Sequence, residues 1–115
     1  MGRKSQHKGA AGERELAALL REYGYPVERG GSLSFGEVPD LTSLPGVHIE
    51  CKRNKRLNIM DAMTQAERDT ERFQDGAPTV FHRRNRSPWL VTMRLTDWMA
   101  LYDRQKGAET DERKG

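Results

Sequence analysis

The sequence predicts an α/β (α+β) fold in which helices flank a central mixed β-sheet, with the element order α-β-β-β-α-β-β-α. Three observations predict this fold. A segment near the N-terminus carries leucines at helical spacing, residues 47–52 alternate between apolar and polar side chains, and two later helical segments are separated by short β-prone runs. Because helices and strands are interspersed along 115 residues, one sheet covered by helices buries the apolar surface of both.

The first helix is predicted from about Ala10 to Tyr23. Gly24 suits its C-terminal end, and Pro26 prevents the helix from continuing. Glu13 lies one turn before the apolar positions, so its carboxylate sits on or beside the buried side of the helix, an unusual place for a solvated acid. The apolar stripe consists of four residues at helical spacing: Leu16, Leu19, Leu20 and Tyr23.

Three strands are predicted before the second helix. Residues 26–29 form a short strand, residues 34–38 are ambiguous, and the Pro39–Leu41 segment leads into a second strand. After a turn at residues 43–46, Val47 to Lys52 is the clearest strand, and its successive side chains face opposite sides of the sheet. One side of this strand carries three polar residues: His48, Glu50 and Lys52.

The second half of the chain predicts two helices and two strands. Asn58 is predicted to cap the second helix, which ends near Phe73. Strands follow at residues 79–81 and 89–93, and Thr96 is predicted to cap the last helix. Two apolar groups each share one helix face: Ile59, Met63 and Ala66 on the second helix, and Trp98, Leu101 and Tyr102 on the last.

The chain length suits one domain, predicted over residues 9–105, between a flexible N-terminus at residues 1–8 and a charged flexible tail at residues 106–115. Apolar residues make up only 35% of the chain, which favours a homodimer that buries a further apolar face. Cys51 is the single cysteine, so an intrachain disulfide is excluded and a cytoplasmic location is expected. Neither a secretory signal nor a membrane span is expected, and the small size also suits a phage genome.

The basic residues are clustered, although the formal net charge is only +3, from 20 basic and 17 acidic residues. Clustered cations suit a polyanionic partner such as nucleic acid, and solvated loops of a soluble protein are the alternative. The clusters are Arg3, Lys4 and Lys8; Lys52, Arg53, Lys55 and Arg56; and Arg83, Arg84 and Arg86.

Asp40, Glu50 and Lys52 form the most informative group of residues. The turn before residues 47–52 folds the Asp40 segment back antiparallel to that strand, and Glu50 and Lys52 leave the same face. Two carboxylates beside one ammonium group suit phosphodiester hydrolysis, because carboxylates bind Mg²⁺, for which Mn²⁺ substitutes, and the metal lowers the pKa of a bound water. Lys52 would orient this water, and the backbone carbonyl of Cys51 would add a ligand.

These residues resemble a known nuclease family. Pro-Asp at residues 39–40, followed by Glu-Cys-Lys at residues 50–52, matches the PD-(D/E)xK nuclease signature. Residues 8–16 (KGAAGEREL) are similar to the opening helix of archaeal-type Holliday-junction resolvases, and residues 29–32 (RGGS) are similar to the glycine-serine segment that follows it. Gln65 lies on the helix after the motif, where related nucleases often carry a glutamine.

The resemblance implies a restriction-endonuclease-like fold and a metal-dependent endonuclease that cuts branched DNA, above all Holliday junctions, as a homodimer with two active sites. The implied site residues are Asp40, Glu50 and Glu13 at the metal, Lys52 as the catalytic lysine, Ser32 at the scissile phosphate, and Gln65 beside them. A nickase or another small nuclease of this chemistry, acting on duplex or flap DNA, is the first alternative. A non-catalytic DNA-binding module of the same fold is the second.

Basic residues near this site are expected to contact the DNA backbone, which supplies most non-specific affinity. Recognition of DNA shape is favoured over sequence, since no segment resembles a helix that reads bases. His48 is expected to be a half-exposed strand histidine with at most a minor role in the site. The expected DNA contacts are Arg53, Lys55 and Arg56 after the catalytic lysine, Arg83, Arg84 and Arg86 in a later turn, and Lys8.

Overall fold

The helices and strands follow one another in the predicted order. The computed structural model describes the backbone of residues 2–30 and 41–114, and the side chains of residues 9–30 and 41–108. The helices are α1 (Gly2–Glu22), α2 (Ile59–Phe73) and α3 (Leu95–Lys114). The strands are β1 (Glu28–Arg29), β2 (Leu41–Thr42), β3 (Val47–Lys52), β4 (Ala77–His82) and β5 (Leu90–Met93). The predicted fold class is confirmed, whereas the ambiguous segment 34–38 lies outside the described residues.

The five strands form one mixed sheet in the order β1-β2-β3-β4-β5. β3 and β4 are parallel, with Glu50 beside Val80, and the other neighbouring strands are antiparallel. α2 provides the crossover that a parallel pair requires. The predicted antiparallel return before β3 is confirmed, because Leu41 pairs with Ile49 across the turn.

The two faces of the sheet are covered by different helices. The core on the α1 face consists of Leu16, Ala17, Val27, Leu41, Ile49 and Phe81. The core on the α2 face consists of Ala62, Met63, Ala66 and Val80. Because side chains alternate along a strand, the odd-numbered residues of β3 face α1 and the even-numbered residues face α2. His48, Glu50 and Lys52 therefore share the α2 face, as the sequence predicts.

α2 begins and ends where the sequence predicts, which positions it over the polar side of β3. The side-chain oxygen of Asn58 accepts a hydrogen bond from the backbone N–H of Asp61 at 3.1 Å, so one free N–H of the first turn is satisfied. At the other end Gln74 adopts the left-handed conformation, with φ 54°, and its N–H donates to the carbonyl of Thr70 at 2.8 Å.

The two terminal helices are longer than predicted. α1 begins at Gly2 instead of Ala10, and α3 continues to Lys114 through the segment predicted as a charged tail. Lysine, arginine, glutamate and glutamine are good helix formers, so a helix can extend through them without apolar side chains that mark its periodicity. The flexibility of the two ends stays a prediction.

Two local predictions are wrong. Thr96 lies in the first turn of α3 and does not cap it, because the carbonyl of Arg94 already accepts the N–H groups of Asp97 and the next residue at 3.0 Å. Arg94 Nε also donates to the Asp97 carboxylate at 2.8 Å, which holds this first turn together. Tyr23 is 72% exposed and does not join the core, and it lies just after the last residue of α1, Glu22.

Candidate active site

Glu50 and Lys52 form a charged pair near the C-terminal end of β3. Lys52 Nζ lies 3.3 Å from Glu50 Oε1. The side chain of Glu50 is 3% exposed and that of Lys52 is 26% exposed. The carboxylate is therefore enclosed between the sheet and α2, whereas the ammonium group can reach a bound polyanion.

His48 lies beside Glu50 on the same side of β3. Its Nδ1 is 2.9 and 2.8 Å from the two carboxylate oxygens of Asp75, and it donates because an ionised carboxylate can only accept. Its Nε2 lies 3.9 Å from Glu50 Oε2, beyond hydrogen-bond distance. The residue is 2% exposed, so the expectation of a half-exposed histidine is wrong. Phe73, at the end of α2, stacks on the ring with the centroids 6.3 Å apart.

Asp69 of α2 completes a group with His48 and Glu50. One potential ligand atom from each of the three residues lies within 4.8 Å of the others. Sequence reasoning missed Asp69. Helical spacing does indicate that Asp69 faces the sheet, since it comes three residues after the buried Ala66 and four before Phe73. An acid on the inward side of a helix is unfavourable unless it is paired or bound to a metal.

The charges of this group stabilise one another. Burial is the largest influence on His48 and acts to lower its pKa, but the Glu50 and Asp75 carboxylates outweigh it, so the pKa of His48 is raised. Burial likewise acts to raise the pKa of Glu50, but His48 and Lys52 outweigh it, so the pKa of Glu50 is lowered. Glu50 is therefore ionised near neutral pH, as a metal ligand must be.

The donor atoms of this group fit a divalent cation. Two carboxylates supply the oxygen ligands that hard dications prefer, and imidazole nitrogen is a common ligand of first-row transition ions. Within the described part of the chain, His48 Nε2 is a buried nitrogen without a hydrogen-bond partner. A cation at this position would satisfy it.

The other predicted site residues are distributed differently. Glu13 belongs to α1, which packs on the other face of the sheet, and its Oε2 lies 3.7 Å from Nε of Arg29. Gln65 is exposed on α2. Cys51 is half-buried and forms no disulfide, and its side chain packs against the α1-side core. A ligand role for its carbonyl stays a prediction. Three predicted site residues lie outside the described side chains: Asp40, Ser32 and Lys8.

A basic groove opens beside the C-terminal end of β3. Its volume is about 840 Å³, and it runs between the loop that follows β3 and the loop that joins β4 to β5. Four of the residues predicted to contact DNA line it: Lys55, Arg56, Arg83 and Arg84. The fold therefore brings together two basic clusters that lie about thirty residues apart in the chain.

Glu15 of α1 holds two of the arginines that are predicted to contact DNA. Arg83 Nη1 donates to Glu15 Oε1, and Arg53 Nε lies 3.6 Å from Glu15 Oε2. Trp89 Nε1 donates to the same carboxylate at 3.1 Å. Part of the charge of Arg53 and Arg83 is thus compensated within the protein, whereas Arg84 is exposed.

The sequence matches one protein family over most of its length. The match is to the archaeal Holliday junction resolvase (hjc) family and spans residues 4–107. The chain belongs to this family. The resemblance stated from the sequence motifs is thereby confirmed, and the resolvase is a metal-dependent DNA endonuclease that acts on branched DNA.

The fold of the resolvase is similar to that of Archaeoglobus fulgidus Hjc, a Holliday junction resolvase from an archaeal hyperthermophile. The TM-score is 0.55 and the sequence identity 22%, over 75% of this chain and 72% of that chain. No curated protein sequence matches the resolvase. In the portion that the structure describes, none of the helices combines the length and apolar character needed to span a bilayer.

Proposed function

We propose that the chain cuts four-way DNA junctions on paired strands as a Mg²⁺-dependent homodimer, with Asp40, Glu50 and Lys52 at the centre of each active site. The observation that carries this proposal is the 3.3 Å contact between Lys52 Nζ and the enclosed Glu50 carboxylate. A buried carboxylate that stays ionised beside an ammonium group can hold a dication and a phosphate close together. The enzyme would work in the cytoplasm, where its single cysteine, Cys51, stays reduced.

Asp40 is included because of the strand pairing next to it. Its chain neighbour Leu41 pairs with Ile49, which directly precedes Glu50. The carboxylates of Asp40 and Glu50 and the backbone carbonyl of Cys51 would supply oxygen ligands, which Mg²⁺ prefers and Mn²⁺ also accepts. When bound, Mg²⁺ lowers the pKa of a water molecule and neutralises charge on the phosphate.

Lys52 is proposed to act on the scissile phosphate and the attacking water. Glu50 orients its ammonium group from one side, and the exposed part of the side chain leaves N–H donors free to reach substrate. The positive charge offsets the negative charge that develops on the phosphate during hydrolysis. Three further residues are assigned by the family resemblance: Glu13 near the metal, Ser32 at the scissile phosphate and Gln65 beside the site.

The DNA backbone is proposed to follow the basic groove. The first residue that lines the groove, Asn54, comes two residues after Lys52, so we place a bound strand with its scissile phosphate beside Lys52. Phosphate contacts position a duplex arm without reading its bases, which favours recognition of junction shape over sequence. The proposed contacts are Lys55, Arg56 and Arg84 in the groove and Arg53 and Arg83, which Glu15 holds. Arg86 and Lys8 are proposed as further contacts.

An exposed apolar surface on β5 and α3 supports the homodimer. We assign to it Val91 of β5 and Leu95, Trp98, Met99, Leu101 and Tyr102 of α3, all of which are exposed. The rings of Trp98 and Tyr102 stack with their centroids 5.3 Å apart, so the surface presents flat aromatic area to a partner. Large exposed apolar patches mark interaction sites, and a two-fold dimer would supply one active site for each of two opposing strands.

Trp98→Asp is expected to convert the dimer into a monomer, because it would bury an unpaired carboxylate in the apolar interface. Sedimentation equilibrium at micromolar protein concentration measures the change. Tyr23→Asp is the matched control, since Tyr23 is an exposed aromatic residue on α1, and it should leave the dimer intact. A monomeric wild type, or equal dissociation by both variants, would remove this surface from the interface.

The proposed function is tested by incubating the protein in Mg²⁺ with an end-labelled four-way junction, a flap, a single strand and a matched linear duplex. We expect paired, symmetric cuts near the branch point of the junction, and none from Asp40→Asn, which loses a metal ligand. Preferred cutting of linear duplex or flap would instead indicate a nickase or another small nuclease. Junction binding without cutting, in either Mg²⁺ or Mn²⁺, would indicate a DNA-binding module.

A further inference from the structure

We infer that His48 Nε2, Glu50 Oε2 and the Asp69 carboxylate form a second cation site, which takes a first-row transition dication such as Mn²⁺. The two oxygens of Glu50 face different groups. Oε1 lies 3.3 Å from Nζ of Lys52, and Oε2 lies 3.9 Å from Nε2 of His48. Glu50 is therefore shared between the proposed catalytic centre on its Lys52 side and a separate group of ligands on its His48 side.

The imidazole of His48 is the feature that points to a bound ion. The residue is 2% exposed, and among the described residues no group is within hydrogen-bond distance of Nε2. A buried polar atom without a partner is unfavourable by about 1–3 kcal/mol, so such atoms in folded proteins usually have a protein, water or ion partner. In the neutral ring the Nδ1 proton is directed to Asp75, so Nε2, which faces the Glu50 carboxylate, carries the lone pair that a cation would take in place of a proton.

Asp75 orients the ring in the way that carboxylates do behind metal-bound histidines. Both of its oxygens lie within 2.9 Å of His48 Nδ1. A carboxylate that accepts from one imidazole nitrogen fixes the orientation of the ring and makes the other nitrogen a stronger ligand. Asp75 comes from the turn after α2, Asp69 from α2 itself and His48 from β3, so three separate segments converge on one position.

The donor set distinguishes this position from a Mg²⁺ site. Mg²⁺ prefers oxygen ligands and retains several waters, whereas an imidazole nitrogen shifts the preference toward transition ions. One potential ligand atom from each of His48, Glu50 and Asp69 lies within 4.8 Å of the others. Metal–ligand distances of about 2.0 to 2.2 Å let opposite ligands lie up to about 4.4 Å apart, so small side-chain rotations would close the group around an ion.

Mn²⁺ binding to the full-length chain without DNA tests this site, with the electron paramagnetic resonance signal of free Mn²⁺ as the readout. The titration is done in excess Mg²⁺, which occupies the oxygen-only catalytic position. We expect the wild type to retain tight Mn²⁺ binding and His48→Asn to weaken it about 10²-fold or more. Asn retains an N–H for Asp75 but lacks the Nε2 ligand. Asp75→Asn should weaken binding about 10- to 100-fold.

His82→Asn is the matched control. His82 lies on β4, and its Nε2 already contacts Thr92 Oγ1 at 2.8 Å, so its replacement should leave Mn²⁺ binding unchanged. Asp69→Asn provides a second test at a half-buried helix position, where loss of one ligand oxygen should weaken Mn²⁺ binding. Thermal unfolding without metal establishes that each variant is folded before its binding is compared.

Equal Mn²⁺ binding by the wild type, His48→Asn and Asp69→Asn would overturn the site, and so would complete displacement of Mn²⁺ by Mg²⁺. His48 would then be a protonated bridge between the Glu50 and Asp75 carboxylates. His48-dependent Mn²⁺ binding in a protein that fails to cut any DNA would support the second site and contradict only the proposed cleavage. The second site shares Glu50 with the proposed function, but the two are distinguished because binding is measured without DNA.

Discussion

Lys52→Ala should reduce the rate of junction cleavage by about 10³-fold while changing DNA affinity little. The loss is expected because Lys52 Nζ lies 3.3 Å from Glu50 Oε1 and reaches solvent beside it, where the scissile phosphate would bind. Without this ammonium group, no hydrogen-bond donor from Lys52 stabilises the negative charge that develops on the phosphate. Affinity depends on many basic side chains, so loss of one phosphate contact should lower the salt dependence of binding by at most about one unit.

The double variant Arg84→Ala, Arg86→Ala is the matched control and should show the reverse pattern. Both arginines are exposed and belong to the loop between β4 and β5, so they should contribute affinity rather than chemistry. We expect weaker binding, a salt slope lower by about two units, and near-normal single-turnover cleavage at saturating protein. If Lys52→Ala loses binding as severely as cleavage, Lys52 is a DNA anchor rather than a catalytic group.

Gly76→Ala should destabilise the fold by about 3 kcal/mol or more. Gly76 has a φ of +137°, a backbone conformation that side chains rarely allow. A Cβ atom at this position would lie 2.5 Å from the backbone nitrogen of Val47 and 2.7 Å from the carbonyl oxygen of Gly46. That carbonyl accepts the N–H of Ala77 at 2.9 Å, next to the first residue pair of the parallel β3–β4 ladder. The methyl group would therefore separate the two strands where their pairing begins.

Urea denaturation at fixed protein concentration measures this loss of stability. Gly107→Ala is the matched control, because a Cβ there meets no atom within 4 Å and the residue lies inside α3. Alanine is a better helix former than glycine, so Gly107→Ala should be neutral or up to about 1 kcal/mol more stable. Equal stability of Gly76→Ala and the wild type would show that β3 and β4 can separate where their pairing begins without a loss of folding free energy.

Local patterns in the sequence determined most of the helices and strands and, within the candidate site, the placement of Glu50 and Lys52 on one face. The alternation along Val47–Lys52 predicted both the strand and the shared face of Glu50 and Lys52, because side-chain direction in a strand follows from residue spacing alone. Asn58 likewise predicted the start of α2, since its cap involves only a neighbour three residues away. The family motifs predicted the nuclease chemistry for the same reason, as they lie in short segments of the chain.

The tertiary structure alone brought Asp69 and Asp75 to the candidate site. In the sequence, Asp75 is recognisable only as a residue of the turn that follows α2. In the fold its carboxylate accepts a hydrogen bond from His48, which is 27 residues away. Glu15 likewise contacts Arg83, 68 residues away, and also Arg53, so the charges of two expected DNA contacts are partly compensated. Such contacts depend on how α1 and α2 pack against opposite faces of the sheet. Residue spacing within one helix or strand carries no information about that packing, because the neighbours of a buried side chain come from all the helices and strands that cover the site.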